Sequence, residues 1–388
     1  MRFQTSILSS LLKPLDRRSF GATVARHDAD AYDKGFKSWD HLVALLFAQL
    51  SGASSLRGLE ATWNAHTHHH YHLGAGKLRR STLSDANQRR PLQVFAETFA
   101  QLSGLLGASL AREGREMVRL IDSTPIPLDE ACTWAQWNGR TRGLKMHVVY
   151  DPHADHPRLV EVTPSTINDI EFGKRTSIER GATYVFDKAY CAYDWWVEIH
   201  QKRAFFVTRP KKNARFRVRR QRLLKRTRGD GFVVLDDAVV TLASRGDSKL
   251  DIPLRRVVVR RDVDGKSLVL ITNDLVRSAV GIGRLYKTRW QIELLFRWLK
   301  QHLKLRQFLG RSENAVRLQA LAAMIAFVLL RVAQRTHRAA MPALRFAELA
   351  SSCLFTRKPL VRIDKPPDVN PSGPASKAAR NQLELSYA

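Results

Sequence analysis

The chain has 388 residues, 64 Lys and Arg against 36 Asp and Glu, a formal charge of +28, and 44% hydrophobic and 9% aromatic residues. That length and apolar content suffice for two or three domains with a sizeable core, which excludes a disordered chain as a whole. The charge calls for a polyanionic partner, nucleic acid first and a membrane surface as the rival.

In chain order, the first 14 residues, "MRFQTSILSSLLKP", lack an apolar signal region. Residues 1–112 read as a helical domain, with "SWDHLVALLFAQLSG" opening at a possible Ser38 N-cap and stopping near Gly52. "QVFAETFAQLSGLLG" has the same character. Between them, "HTHHHYH" holds histidines 66, 68, 69, 70 and 72 without helical or finger spacing, which favours a polar loop or phosphate-facing patch over a metal site. "KLRRSTLSDANQRRP" follows with five cations and a possible N-cap at Ser81 or Ser84. It reads equally well as a basic surface helix or as a helix N-terminus set against DNA backbone.

From about residue 116 the period changes to that of strands. "MVRLID", "LKMHVVYD" and "RLVEVTPS" form an expected meander, "NDIEFGKRTSIE" a helix, "ATYVFDKAY" a strand, "YDWWVEIHQK" a helix and "AFFVT" a strand. This is a mixed α/β pattern. Residues 209–228, "RPKKNARFRVRRQRLLKRTR", hold eleven cations and no acid, interleaved with Phe216, Val218, Leu223 and Leu224, so part of the run reads as strand. The alternating segments after it, with the turn "DVDG", make 209–275 a β-rich insertion. The apolar run "ALAAMIAFVLL" at 320–330 is too short to span a bilayer and suits a buried helix within a C-terminal helical part, 311–362. Residues 363–388 are expected to be disordered. Cys132, Cys191 and Cys353 are too few and too scattered for a disulfide framework or a zinc site, which fits a reduced, intracellular protein without a membrane segment.

Two acids stand out by position: Asp122, at the end of the first strand in "LIDSTPI", and Asp187, which ends or follows the fourth in "VFDKAY". Ligands commonly lie at such strand ends, although an aspartate there is more often a turn former or cap. A third acid, Glu293, lies in "YKTRWQIELLFRWLK". On one continuous helix at about 100° per residue, Tyr286, Arg289, Glu293 and Lys300 fall within roughly 60° of one another, opposite Ile292, Leu295 and Leu299. Taken alone, that stripe reads slightly better as a solvated face with Glu293 paired to Arg289 and Arg297. Three carboxylates, however, suffice to hold two Mg²⁺ ions if one bridges, the arrangement that phosphodiester displacement uses.

The Tyr286–Arg289–Glu293–Lys300 spacing, together with "LIDSTPI" and "VFDKAY", resembles the DDE transposases of bacterial insertion sequences, the IS-four family. The resemblance covers about 116–310, including the β-rich insertion, and extends more loosely to the N-terminal helices. It implies an RNase H-like catalytic core over 113–310, preceded by a helical DNA-binding domain. It implies two divalent metal ions, Mg²⁺ or Mn²⁺, held by Asp122, Asp187 and Glu293. Tyr286, Arg289 and Lys300 would then hold DNA phosphates, and Trp290 either lies at a core or rim position or stacks on a displaced base. The implied activity is cleavage at the ends of an insertion sequence and joining of the 3′-hydroxyls to target DNA. The implied partner is double-stranded DNA, bound by a homodimer in the bacterial cytoplasm, with no membrane involved. The alternatives are a metal-dependent nuclease of the same fold and a DNA-binding protein derived from a transposase, whose mark would be a lost acid.

Overall fold

The structure is a computed structural model that describes residues 5–111, 116–139, 141–224, 227–242, 252–302, 308–337 and 341–365. The N-terminal part is helical: α1 (Ile7–Leu12), α2 (Arg17–Arg26), α3 (Ser38–Ser51), α4 (Leu56–Asn64), α5 (Thr67–Leu73), α6 (Arg80–Arg89) and α7 (Leu92–Ala111). Gly52, at φ +69°, ends α3 in the left-handed conformation that glycine adopts without a Cβ penalty. The start of α3 differs from expectation. Ser38 is not the cap but the first helical residue, and its N–H and Oγ–H both donate to Asp30 Oδ1, at 2.6 and 2.7 Å. A carboxylate from the preceding loop is the stronger acceptor for these groups. Likewise α6 starts from Arg79, so neither Ser81 nor Ser84 is its cap.

The histidine run is also corrected: residues 67–73 form α5 rather than a polar loop. The His70 ring stacks on Trp63 with centroids 4.4 Å apart, and its Nε2 lies 3.1 Å from the Trp63 carbonyl oxygen. His66 and His69 stack against Phe355, at 4.1 and 5.2 Å. The imidazoles serve as flat packing surfaces, and a partner so far away along the chain could not be read from local spacing.

The α/β part follows the expected element order: β1 (Val118–Pro127), β2 (Gly143–Asp151), β3 (His156–Pro164), α8 (Asp169–Arg175), β4 (Thr183–Phe186), α9 (Tyr193–Gln201) and β5 (Phe205–Thr208). The segment after it supplies β6 (Phe216–Gln221), β7 (Arg228–Gly229), β8 (Phe232–Leu242), β9 (Leu254–Arg261) and β10 (Ser267–Thr272). These strands do not form a separate module. β10 pairs antiparallel with β5, giving one sheet of order β3-β2-β1-β4-β5-β10-β9-β8-β6 with β7 beside β8. β1–β4 and β4–β5 are the parallel pairs, as the βαβ connection through α9 requires. The 112/113 boundary expected from sequence lies outside the described residues.

Side-chain alternation divides the sheet into two faces. On one, Ile121, Phe186 and Phe206 pack with Phe172 of α8 and Trp195 and Trp196 of α9. On the other, Leu120, Val185 and Val207 join a core shared with α10 (Ala279–Thr288), α11 (Trp290–His302) and α12 (Glu313–Thr336). By length and composition α12 could cross a membrane, but 83% of that apolar stretch is buried. It packs against α1, α3, α6, α7, β3 and α13 (Ala343–Ser352), so the N- and C-terminal helices share one layer. Each large side chain fully buried there contributes about 1.5–3 kcal/mol. The tail expected to be disordered from 363 begins with buried Ile363, and residues from 366 onward lie outside the described residues.

The insertion also fixes where α10 begins. Arg255 on β9, 1% exposed, pairs through two nitrogens with Asp237 on β8 at 2.7 Å each, and its Nη1 donates to the Asp274 carbonyl at 3.3 Å. Asp274 Oδ1 accepts from the N–H groups of Val276 and Arg277, and Ser278 Oγ caps α10 by accepting from Gly281 N at 3.1 Å.

Candidate active site

The last paired residues of the parallel β1–β4 ladder are Ile121 and Phe186. The next residue on each strand is an acid, Asp122 and Asp187. Alternation places both on the face of Leu120 and Val185, the face that α10 and α11 cover. β4 ends there because Asp187 turns the chain, its Oδ1 accepting from Ala189 N at 2.7 Å as the cap of a short 3₁₀ turn, Lys188–Tyr190. β1 does not end there. It continues to Pro127 along β2, with Asp122 opposite Val148, so Asp122 lies within its strand rather than at the end. What ends at Asp122 is only the β1–β4 pairing.

The helix expected to run unbroken through 286–300 is divided at Arg289. Arg289 N donates to Tyr286 O and Ile292 N donates to Arg289 O, both at 3.2 Å, a 3₁₀-like turn between α10 and α11. The bend accompanies a two-armed contact. Arg289 Nη1 donates to Asp122 Oδ2 at 3.1 Å, and Nη2 donates to Glu293 Oε1 at 2.5 Å. The guanidinium lies over the Tyr286 ring, 5.8 Å from its centroid. The single-helix stripe thus becomes a junction: Tyr286 and Arg289 end one helix, and Glu293 and Lys300 ride the next. Lys300 is half-buried and lies roughly 10 Å farther along the axis than Glu293, at 1.5 Å per residue.

Burial sets the electrostatics. The Asp122 side chain is 18% exposed and that of Glu293 52% exposed. Burial pushes the Asp122 carboxyl up to about 7, against the pull of Arg289 and the Ser123 N–H, and the like charges of Asp187 and Glu293 push it further. Burial also raises the Tyr286 phenol. For Arg289 burial works to lower the guanidinium, but Tyr286, Asp122 and Glu293 outweigh it and the net shift is upward.

Three carboxylates of this kind are hard oxygen donors suited to Mg²⁺ or Mn²⁺. Their mutual repulsion at Asp122 is what a bound cation relieves, so the donor set fits. Among the described residues no three acidic, histidine or cysteine side chains converge closely enough to hold an ion as they stand, and Arg289 bridges two of the acids.

Trp290, 48% exposed, opens α11 between two hollows. One, of about 610 Å³, is lined by Tyr286, Arg289, Trp290 and Glu293 together with Phe232 and Leu268 of the insertion. The other, of about 460 Å³, lies towards α12 and includes Trp298 and Phe327.

Sequence reasoning passed over the layer behind Asp122. Ser123 N donates to Asp122 Oδ1 at 2.9 Å, while Ser123 Oγ donates to Asp169 Oδ1 at 2.9 Å and Lys145 Nζ to the same oxygen at 3.0 Å. Asp169 opens α8, and from sequence it reads only as part of a helix. No local signal points to it, because Ser123 and Asp169 lie 46 residues apart in the chain.

Residues 113–329, more than half of the chain, match the family described as Transposase DDE domain, and residues 4–76 match a domain of unknown function, DUF4372. A putative transposase of Sinorhizobium fredii is 58% identical over 305 residues, covering 79% of this chain and 85% of the relative. A probable transposase for an insertion sequence element of Geobacillus stearothermophilus is 30% identical over 264 residues, covering 66% of this chain and 68% of that one. A solved piggyBac transposase synaptic complex with hairpin DNA aligns over 98% of this chain and 84% of that chain at 10% identity and a TM-score of 0.49. On the family match and these two sequence relatives, the chain belongs to the DDE transposases.

Proposed function

We propose that this transposase acts on the ends of an insertion sequence of the IS-four type, with Asp122, Asp187 and Glu293 as ligands of two divalent ions, Mg²⁺ or Mn²⁺, in an RNase H-like core. The observation that carries the reading is the juxtaposition where the β1–β4 pairing ends, in the middle of the sheet: two acids that follow the last pair, and a third tied to the first of them through Arg289.

The chain's own residues have distinct tasks. The Ser123 N–H orients Asp122 Oδ1, and the turn at Ala189 orients Asp187. Arg289 and Lys300 supply cations, and Tyr286 a phenol, to phosphates on either side of the cut. Trp290 lines the hollow of about 610 Å³ beside Glu293, a place for a base displaced from the duplex. When bound, the ions supply charge stabilisation at the attacking and leaving oxygens of an in-line displacement. Water attack gives cleavage, and attack by the freed 3′-hydroxyl gives joining, so one site serves both steps. The N-terminal helices bind the element ends, and a homodimer assembles on DNA in the bacterial cytoplasm.

The test is a Mg²⁺-dependent nicking and strand-transfer assay on element-end DNA, run beside a binding assay. Asp187→Asn and Glu293→Gln should fold and bind DNA yet lose cleavage by about a thousandfold or more, the scale of a lost major electrostatic contribution. Wild-type cleavage by either variant would sink the assignment. Nicking without strand transfer by the wild type would favour the nuclease reading.

A further inference from the structure

Arg289 makes two contacts that a DNA-binding cation does not need. Its Nη1 and Nη2 reach Asp122 Oδ2 and Glu293 Oε1, on a strand and a helix far apart in sequence. The guanidinium is 20% exposed, packed over Tyr286, and its Nε is buried without a hydrogen-bond partner. Resting on the metal reading above, we propose that Arg289 is a built-in counter-cation, a clasp that holds Asp122 and Glu293 together and must let go before a divalent ion takes those carboxylates.

The chemistry is competition for the same oxygens. A guanidinium fork satisfies two carboxylates that otherwise repel one another. A divalent ion carries twice the charge but needs the same lone pairs. Whatever draws the fork away therefore favours the ion, and a DNA phosphate suits the fork as well as a carboxylate does. DNA and metal then strengthen each other through one side chain, and the coupling is reciprocal. Glu293 is the more accessible end of the device: it is half exposed, and it sits one turn beyond the 3₁₀ break between α10 and α11.

The test is Mn²⁺ binding to the full chain, read from the loss of the free-ion electron paramagnetic resonance signal, with no turnover involved. Arg289→Gln should bind Mn²⁺ on the order of tenfold more tightly than wild type. Arg289→Lys, which keeps the charge and loses the fork, should fall between them and guards against a folding artefact. Arg297→Gln removes a cation equally far along the helix from Glu293, and it should tighten binding less. Equal tightening by Arg289→Gln and Arg297→Gln would reduce the clasp to a general field effect and overturn it. Unchanged or weaker Mn²⁺ binding by Arg289→Gln would also overturn it. Failure of the metal reading looks different: Asp122→Asn and Glu293→Gln would leave Mn²⁺ binding at the wild-type level. A 40-base-pair duplex at low salt should tighten Mn²⁺ binding to the wild type and do so less for Arg289→Gln. Beyond the Mn²⁺ that the duplex takes up by itself, no gain in the wild type, or an equal gain in both, would overturn the coupling.

Discussion

The helical layer around α12 and the α10–α11 junction both bury a titratable group, with opposite results. In the helical layer His41 is fully buried, its Nε2 lies 2.8 Å from Asn87 Oδ1, and its ring packs edge-on to Phe95 at 5.3 Å. Burial pushes its imidazole down to about 3, so at neutral pH it is uncharged and needs no counter-ion. At the junction the same effect pushes Asp122 up to about 7, against the pull of the Arg289 guanidinium that pairs with it. The buried base becomes an uncharged piece of core, its Nε2 paired with Asn87 and its Nδ1 buried without a partner. A largely buried acid near two others instead keeps a charged partner, the Arg289 guanidinium.

The comparison breaks first at its packed side. Leu329 of α12 is 0% exposed, and Leu329→Ala should cost about 2–5 kcal/mol in chemical denaturation. A cost near zero would show that the layer is not closely packed after all.

The two buried groups should also bend the pH dependence of stability in opposite directions. Each contributes at most about 1.4 kcal/mol for every pH unit that separates its folded from its unfolded value. His41 has a folded value of about 3, below its ordinary 6.5, so its contribution is whole above 6.5 and is lost as pH falls towards 3. Asp122 has a folded value of about 7, above its ordinary 3.8, so its contribution is whole below 3.8 and is lost as pH rises through 7. Urea midpoints measured in acid, in the mid-range and just above neutrality would separate them. His41→Phe keeps the ring contacts and should flatten the acid branch, while Asp122→Asn should flatten the change towards neutrality. A wild-type acid branch in His41→Phe would shift that role to the other buried histidines, His147 and His156, both pushed down to about 4 by burial.

What the sequence made legible follows the range of the interactions. The strands β1–β5 and the buried run inside α12 were readable because period-2 alternation and apolar runs are local, whereas the place of Asp122 inside β1 rather than at its end was not. The break at Arg289 was not, because its partner Asp122 lies 167 residues away. Nor were the true caps of α3 and α6, the helical histidine run against Phe355, or the join of the insertion to β5, each of which depends on tertiary contacts. Asp169 escaped for the same reason: it is a neighbour of Ser123 only through the fold.

β6 extends the contrast to the surface. It is the outer strand of the sheet, and Arg217, Arg219 and Arg220 on it are exposed. If this edge tracks DNA backbone, replacing those three and Lys212 by Gln should lower the slope of log affinity against log salt by about 0.9 for each phosphate no longer neutralised. An unchanged slope would return the run to ordinary solvated charge.

The smallest effect discriminates most between packing and chemistry. Glu293 is half exposed, and its contact with Arg289 is an i,i+4 pair across the 3₁₀ turn between α10 and α11, solvated at the Glu293 end. Such a pair stabilises by roughly 0.2–0.5 kcal/mol, so Glu293→Gln should shift the denaturation midpoint barely beyond error. Gln still offers an oxygen to the Arg289 fork, and no core atom is removed. If the same substitution that leaves stability in place abolishes cleavage, the carboxylate is there for chemistry alone. A cost of about 2 kcal/mol or more would instead make Glu293 part of the fold, on the scale of a truncated core side chain. The α10–α11 junction would then belong with the helical layer, and the contrast between the two regions would fail.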